Sequence, residues 1–285
     1  MREIMARRLL LCTDMDRTII PNGRQPENPD ALQLFRQLCG LPEVSLAYVT
    51  GRHLQLVKEA IVDYKLPQPD YAITDVGTKI YRQEDNEWHE MDSWQTQIAR
   101  DWQGKTHAEL DRVLGSLPEL TLQEMSKQND FKLSYYLRLT ADRKNILAEV
   151  DRRLSHLGAA ASLIWSVDEE KQIGLLDILP RNATKLHGIR YLQHHLGFES
   201  DEVVFAGDSG NDLTVLASSV RSILVANAEP EIKQQALQLA EQNGFPETLY
   251  IAKQDGFFLG GNYSAGVIQG IKFFAPDILE KQIKT

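Results

Sequence analysis

Cysteine is almost missing from this chain. Cys12 and Cys39 are the only two in 285 residues, too few for a disulfide framework or a zinc cluster, which suits a reducing cytoplasm. Basic charge is scarce beside acidic charge. Forty Asp and Glu outnumber 31 Lys and Arg for a formal charge of -9, and no segment gathers Lys and Arg into a stripe that would neutralise a phosphate backbone. Nucleic acid is therefore not an expected partner. Long apolar runs are lacking too. Arg2, Arg7 and Arg8 precede an apolar stretch in the order of a secretory signal, but the stretch stops at Asp14 and no small-residue cleavage site follows. Residues 256–274 carry Asn262, Gln269 and Lys272, which suit a bilayer poorly. The expectation is a cytoplasmic protein without membrane contact. Histidine pairs offer no metal site, since His194 and His195 sit late in an expected helix with no Cys or acid at ligand spacing.

What is present is an alternation of short apolar runs with amphipathic stretches, from Leu9 to about Tyr81 and again from Lys185 to the end. The runs at 9–13, 45–49 and 203–206 read as buried strands of a parallel sheet. Helices are expected at 29–38 with Gly40 ending the first, at 53–64, at 184–196 with Gly197 at the C-terminus, and at 265–274 as the last. Interleaving of this kind implies βαβ units. The middle differs in texture. All four tryptophans (Trp88, Trp94, Trp102 and Trp165) fall between 82 and 180, where the strand candidates 132–139, 162–167 and 174–179 lack long buried runs. They read as an antiparallel sheet covered on one face by helices at 93–114 and 142–157. The expected class is α/β, a Rossmann-like parallel core made of residues 1–81 and 181–285, with an inserted α+β domain at 82–180.

Three stretches directly follow the apolar runs: Asp14-Met15-Asp16-Arg17-Thr18, Thr50-Gly51-Arg52 and Gly207-Asp208-Ser209-Gly210-Asn211-Asp212. Open α/β sheets bind ligands beyond the carboxyl ends of their strands, so acids and a hydroxyl from opposite ends of the chain should converge in one crevice. Lys185 is a fourth element. It opens an expected helix, where the macrodipole disfavours a cation, so a negative partner should hold it.

These four motifs, in this order, resemble those of the haloacid dehalogenase superfamily of phosphohydrolases. Leu46-Ala47-Tyr48-Val49-Thr50-Gly51-Arg52, Pro69-Asp70-Tyr71 leading to Asp75-Val76-Gly77-Thr78, Phe131-Lys132-Leu133-Ser134-Tyr135, Asp177-Ile178-Leu179-Pro180 and Gly266-Val267-Ile268-Gln269-Gly270 extend the resemblance to its sucrose-6-phosphate phosphatase branch. That branch carries a C2-type cap, subfamily IIB, where the insertion lies. The resemblance implies that Asp14 is the nucleophile, forming an aspartyl-phosphate. A phosphate monoester is an anion, so the attacker must be weakly basic, stay ionised and be screened by a cation. It implies that Asp16, two residues on, acts as general acid and then base. Mg²⁺ would be held by Asp14, Asp208 and the Asp16 backbone carbonyl, with Thr50 and Gly51 on the phosphoryl group, Lys185 offsetting charge, and Asn211 and Asp212 behind the metal ligands. Gly207 and Gly210 would let the backbone approach the ion.

Each residue also has a plainer reading. Asp14 and Asp16 alone would pass for turn aspartates, Thr50 for a helix cap, and Asp212 for an ordinary first-turn acid. Arg17 stands where the family more often has Gly or Asn; it either crowds the loop or helps hold the phosphate. Arg52 either reaches the phosphate or decorates its helix. Thr18 reads as a turn stabiliser. Lys132 and Ser134 share a strand face and resemble sugar-contacting positions, against a solvated face as the alternative. The implied activity is hydrolysis of a phosphorylated disaccharide, foremost sucrose 6-phosphate, in sucrose biosynthesis, with a sucrose-phosphate synthase as an expected partner. Rivals are another sugar phosphate (mannosylfructose phosphate, glucosylglycerate phosphate or a broad range), a sugar phosphomutase, and a non-catalytic sugar-phosphate-binding partner of a glycosyltransferase.

Overall fold

A computed structural model describes residues 8–168, 171–254 and 260–283. In chain order its strands and helices are β1 (Leu9–Thr13), α1 (Pro29–Cys39), β2 (Val44–Val49), α2 (Leu54–Asp63), β3 (Tyr71–Thr74), β4 (Lys79–Glu84), β5 (Glu87–Glu90), α3 (Asp92–Ala99), α4 (His107–Leu114), β6 (Leu120–Leu122), β7 (Leu133–Leu137), α5 (Arg143–Leu157), β8 (Ala161–Asp168), β9 (Ile173–Pro180), α6 (Lys185–Leu196), β10 (Val203–Gly207), α7 (Leu213–Leu216), β11 (Arg221–Leu224), α8 (Pro230–Asn243), β12 (Leu249–Ile251), α9 (Ser264–Phe274) and α10 (Pro276–Ile283).

The large sheet runs β12-β11-β10-β1-β2-β3-β4-β5. Its first six strands are parallel, with β1 between β10 and β2. Every residue of β1 is buried. Leu9 and Leu11 enter one core with Phe35 of α1, Val57 of α2 and Ile268 of α9, while Leu10 and Cys12 enter the other with Trp94 of α3, Ile189 of α6 and Val215 of α7. Burial on both faces is what a continuous apolar run predicts. Each such side chain contributes roughly 1.5–3 kcal/mol when removed from water. Local signals set the helix ends. Asn28 accepts a hydrogen bond from the Asp30 N–H ahead of Pro29, and Thr184 accepts one from His187 N–H while Gly197 closes α6 in the left-handed region.

Helices α4 and α5 cover one face of a second, antiparallel sheet ordered β6-β7-β9-β8. Leu133, Tyr135 and Leu137 of β7 point into this small core with Leu110, Leu114, Val150 and Leu154. The alternate residues of β7 and β9, with Ser134 opposite Asp177, face the other way.

Three expectations change. The chain stays in the large sheet past Arg82, because β4 and β5 add antiparallel strands to it as far as Glu90. The single helix expected at 93–114 is two helices. Gln103 and Gly104 take positive φ and break it, so α3 packs Trp94 and Ile98 into the large core while Trp102 and α4 belong to the small one. Apolar spacing is the same on both sides of that break, which is why it reads as one element. Finally, α10 follows α9 and buries Ile278 and Leu279 beside it.

Candidate active site

Asp14 continues β1, its N–H donating to the Ala206 carbonyl at 2.8 Å. Its side chain accepts from Met15 N–H at 2.8 Å and is buried. Asp208 follows β10 in the adjacent position. Gly207 lets Asp212 fold back beneath it, since a Cβ there would meet the Asp212 carboxylate carbon at 2.6 Å. Asp212 Oδ2 then accepts from the N–H groups of Asp208 and Ser209, both at 3.1 Å. Gly210 has no comparable close contact, its nearest neighbour being Ile232 at 3.6 Å. Lys185, the first residue of α6, reaches Asp212 Oδ1 at 2.7 Å, Asn211 Oδ1 at 3.0 Å and Asp14 Oδ2 at 3.2 Å.

A turn after β3 clips this lysine in place. Asp75, Val76 and Gly77 all have positive φ (51°, 62° and 105°), a strained course for a β-branched valine. Asp75 N–H donates to the Arg52 carbonyl at 3.0 Å and Val76 N–H to the Thr50 carbonyl at 3.3 Å. A Cβ on Gly77 would sit 2.6 Å from the Thr184 carbonyl carbon, so only glycine allows the turn to press on the start of α6. The second and third motifs are thereby joined.

Three carboxylates, those of Asp14, Asp208 and Asp212, place oxygens within 4.8 Å of one another. Burial pushes Asp14 up to about 7, opposed by Lys185 and reinforced by Asp212. It pushes Asp208 up to about 8, reinforced by Asp212 and Asp14. Burial penalises the Lys185 charge as well, but Asp14 and Asp212 outweigh that and raise its pKa. Negative charge is in excess, and a divalent cation would relieve it. Asp212 is the most heavily engaged of the three, with Lys185 on Oδ1 and two backbone N–H groups and the Ser209 hydroxyl on Oδ2, whereas each Asp14 and Asp208 oxygen has one such partner and more room for an ion. That sparse set suits Mg²⁺, which keeps several waters.

Asp16 is held differently. Arg52 grips it with two bonds, Nε to Oδ2 at 2.8 Å and Nη2 to Oδ1 at 2.7 Å, and Asn22 Nδ2 donates to Oδ1 at 2.7 Å. Burial alone would raise the Asp16 pKa, yet these donors hold it below the usual carboxylate value. Arg52 thus neither decorates its helix nor waits free for phosphate. The Thr50 hydroxyl accepts from Arg52 N–H at 3.2 Å, and α2 begins with His53 as its N-cap, so Thr50 is not a helix cap. Arg17 is engaged by two acids, its Nε lying 3.3 Å from Asp208 Oδ2 and its Nη2 2.9 Å from Glu229. Thr18 is buried and its hydroxyl lies 3.4 Å from Asp208 Oδ1.

A cavity of about 270 Å³ separates the open face of the small sheet from the large domain. Gly51, Val76 and Asn211 line it from below and Gln123, Lys132 and Asp177 from above. Lys132 lies 3.9 Å from Asp177. Ser134 does not line the cavity. It is fully buried and its hydroxyl donates to Asp177, which lines the cavity in its place. Sequence reading missed Asp177 and Asn22 as site residues. Asp177 stands in a quoted motif but reads as a strand residue, and Asn22 carries no signal beyond lying in the first loop.

A parallel sheet with paired buried acids at its carboxyl edge, a buried lysine and a cap sheet above is the architecture of a haloacid dehalogenase-type phosphatase. Residues 7–275 match the family described as sucrose-6F-phosphate phosphohydrolase, and the chain belongs to that family. It is 48% identical over 273 residues to a protein of Nitrosococcus oceani named as a HAD-like hydrolase, across 96% of this chain and 73% of that one. With sucrose-phosphatase 1 of Nicotiana tabacum it shares 30% identity over 276 residues, across 94% of this chain and 60% of the tobacco protein. The sucrose-phosphatase of Synechocystis sp. PCC6803, solved with sucrose and phosphate, matches with a TM-score of 0.74 and 27% identity, over 94% of this chain and 98% of the other. Among the described residues no helix is long and apolar enough to cross a membrane.

Proposed function

We propose that this phosphatase hydrolyses sucrose 6-phosphate to sucrose and phosphate, with Asp14 as nucleophile and with Asp14 and Asp208 as the carboxylates that would hold Mg²⁺. The observation that carries the reading is the buried Asp14 set beside Lys185 and Asp208, next to a cleft lined on one side by Asn211, which Lys185 also engages, and on the other by Lys132 and Asp177. Bound there, Mg²⁺ would screen the phosphate charge and favour the ionised forms of both carboxylates. The chain's own residues do the rest. An Asp14 oxygen bonds to phosphorus as the bond from phosphorus to the sugar oxygen breaks, and Asp16 delivers the proton that the sugar oxygen needs. Water then attacks the aspartyl-phosphate, Asp16 accepts its proton, and the bond to Asp14 breaks. Lys185 offsets charge on Asp14 and the phosphoryl oxygens throughout.

Arg52 and Asn22 keep Asp16 ionised and oriented, which is the state that accepts a proton from water. Donating a proton to the sugar oxygen requires Asp16 to be protonated first, and an incoming phosphate that draws Arg52 away would favour that. Lys132 and Asp177 offer a donor and an acceptor to the hydroxyls of the sugar remote from the phosphate. A phosphate-release assay with Mg²⁺ over sucrose 6-phosphate, mannosylfructose phosphate and fructose 6-phosphate tests the reading. Sucrose 6-phosphate should have the highest kcat/KM; faster turnover of fructose 6-phosphate would rule out the disaccharide assignment.

A further inference from the structure

Arg17 lies in the nucleophile loop, yet no chemical step above uses it. Its backbone is left-handed, with φ 56°. The N–H donates to Asn22 Oδ1 at 2.9 Å, and the carbonyl accepts from the buried Asn227 side chain at 2.6 Å. The side chain therefore starts from a fixed point. Its Nη2 donates to Glu229 Oε1 at 2.9 Å and to the Asn227 carbonyl at 3.3 Å. Its Nε is buried without a hydrogen-bond partner and lies 3.3 Å from Asp208 Oδ2. The guanidinium thus bridges a buried acid of the metal-binding pair to an exposed acid at the start of α8.

We propose that Arg17 is a built-in rival of the divalent cation: it balances Asp208 while the metal is away and holds metal affinity down. The inference rests on the reading that a divalent ion sits between Asp14 and Asp208. A guanidinium fixed beside Asp208 makes the potential at the ion position less negative, and that costs a dication twice what it costs the proton competing for the same oxygen. Lys185 is engaged by Asp212, Asn211 and Asp14 rather than by Asp208. The arginine side chain is 37% exposed, so solvent screens its charge and the effect should be on the order of tenfold in affinity.

The test is Mg²⁺ titration calorimetry on the native protein, Arg17→Gln and Arg17→Lys, with thermal unfolding in EDTA and in saturating Mg²⁺. Arg17→Gln should bind Mg²⁺ about tenfold more tightly and unfold at a lower temperature in EDTA, with the gap between metal-free and metal-bound Tm widened. Arg17→Lys, which keeps the charge, should bind as the native protein does. Equal or weaker Mg²⁺ binding by Arg17→Gln, or a Tm loss equal with and without metal, overturns the inference. If Arg17→Gln does not fold, Glu229→Gln takes its place. Removing the rival carboxylate should tighten the hold of Arg17 on Asp208 and weaken Mg²⁺ binding several-fold, and an unchanged Kd overturns the inference. A native protein that binds no Mg²⁺ would instead refute the ion reading beneath it.

Discussion

Lys185→Met should destabilise the metal-free protein heavily and in a pH-dependent way. The Lys185 side chain is 2% exposed, its Nζ lying 2.7 Å from Asp212 Oδ1 and 3.2 Å from Asp14 Oδ2. Methionine fills similar space but leaves both carboxylates buried without their cation, and breaking a buried pair on one side costs about 3–5 kcal/mol. The sign of the pH effect follows from the acids. Asp14 at about 7 and Asp208 at about 8 both titrate above the ordinary 3.8 in the folded protein, so between those values the folded state holds protons that the unfolded chain has released. Stability in EDTA therefore rises as pH falls from about 8 towards 4, and is lost as pH rises through 7 to 8. Without Lys185 both acids bind protons more tightly, and the slope steepens. Urea unfolding of both proteins in EDTA at pH 5.5 and 8.0 measures this. The deficit of the variant should be several kcal/mol at pH 8.0 and much smaller at pH 5.5. A deficit under about 1 kcal/mol at pH 8.0, or one that grows on acidification, would mean that Lys185 does not balance these carboxylates.

Three further outcomes are expected. Asp14→Asn should abolish phosphate release while leaving the far-UV circular dichroism unchanged, because an amide matches the carboxylate in shape but does not attack phosphorus; substantial turnover would remove Asp14 from the nucleophile role. Arg52→Ala frees Asp16 from two hydrogen bonds and should lower kcat by about ten- to a hundredfold with a smaller change in KM, the range set by general acid-base contributions; a change confined to KM would make Arg52 a binding residue only. Lys132→Ala and Asp177→Asn should each reduce kcat/KM for sucrose 6-phosphate about tenfold or more, since a stranded polar partner costs about 1–3 kcal/mol, and should hardly affect p-nitrophenyl phosphate. Equal losses on both substrates would point instead to the fit of the small sheet over the large one.

How far the sequence carries the site can be judged residue by residue. Asp14, Asp208 and Lys185 were legible because each follows or opens an element whose ends are marked locally: an apolar run stopping at an acid, or Thr184 before a helix and Gly197 after it. Ser134 and Lys132 were placed on the right strand face by period-two alternation, yet alternation cannot say that β9 sets Asp177 opposite Ser134 and engages its hydroxyl. Arg17 and Arg52 each admit two readings from sequence, and what holds each side chain lies far away in the chain: Glu229 and Asp208 for the first, Asp16 for the second.

The sequence by itself determined the parallel core, three motif stretches at strand ends and Lys185 at a helix start, because those follow from burial, helix-end chemistry and the geometry of βαβ units, all of which act over a few residues. It did not determine where the two sheets part company near Glu90, the break at Gln103 and Gly104, or which acid each cation serves. Those depend on contacts between segments brought together only when the chain closes. The Asp75-Val76-Gly77 turn, held in a strained course by Thr50, Arg52 and Thr184, is stable only in the packed whole. The same holds for the pKa values of Asp14 and Asp208, which are set by a burial that no local stretch of sequence can provide.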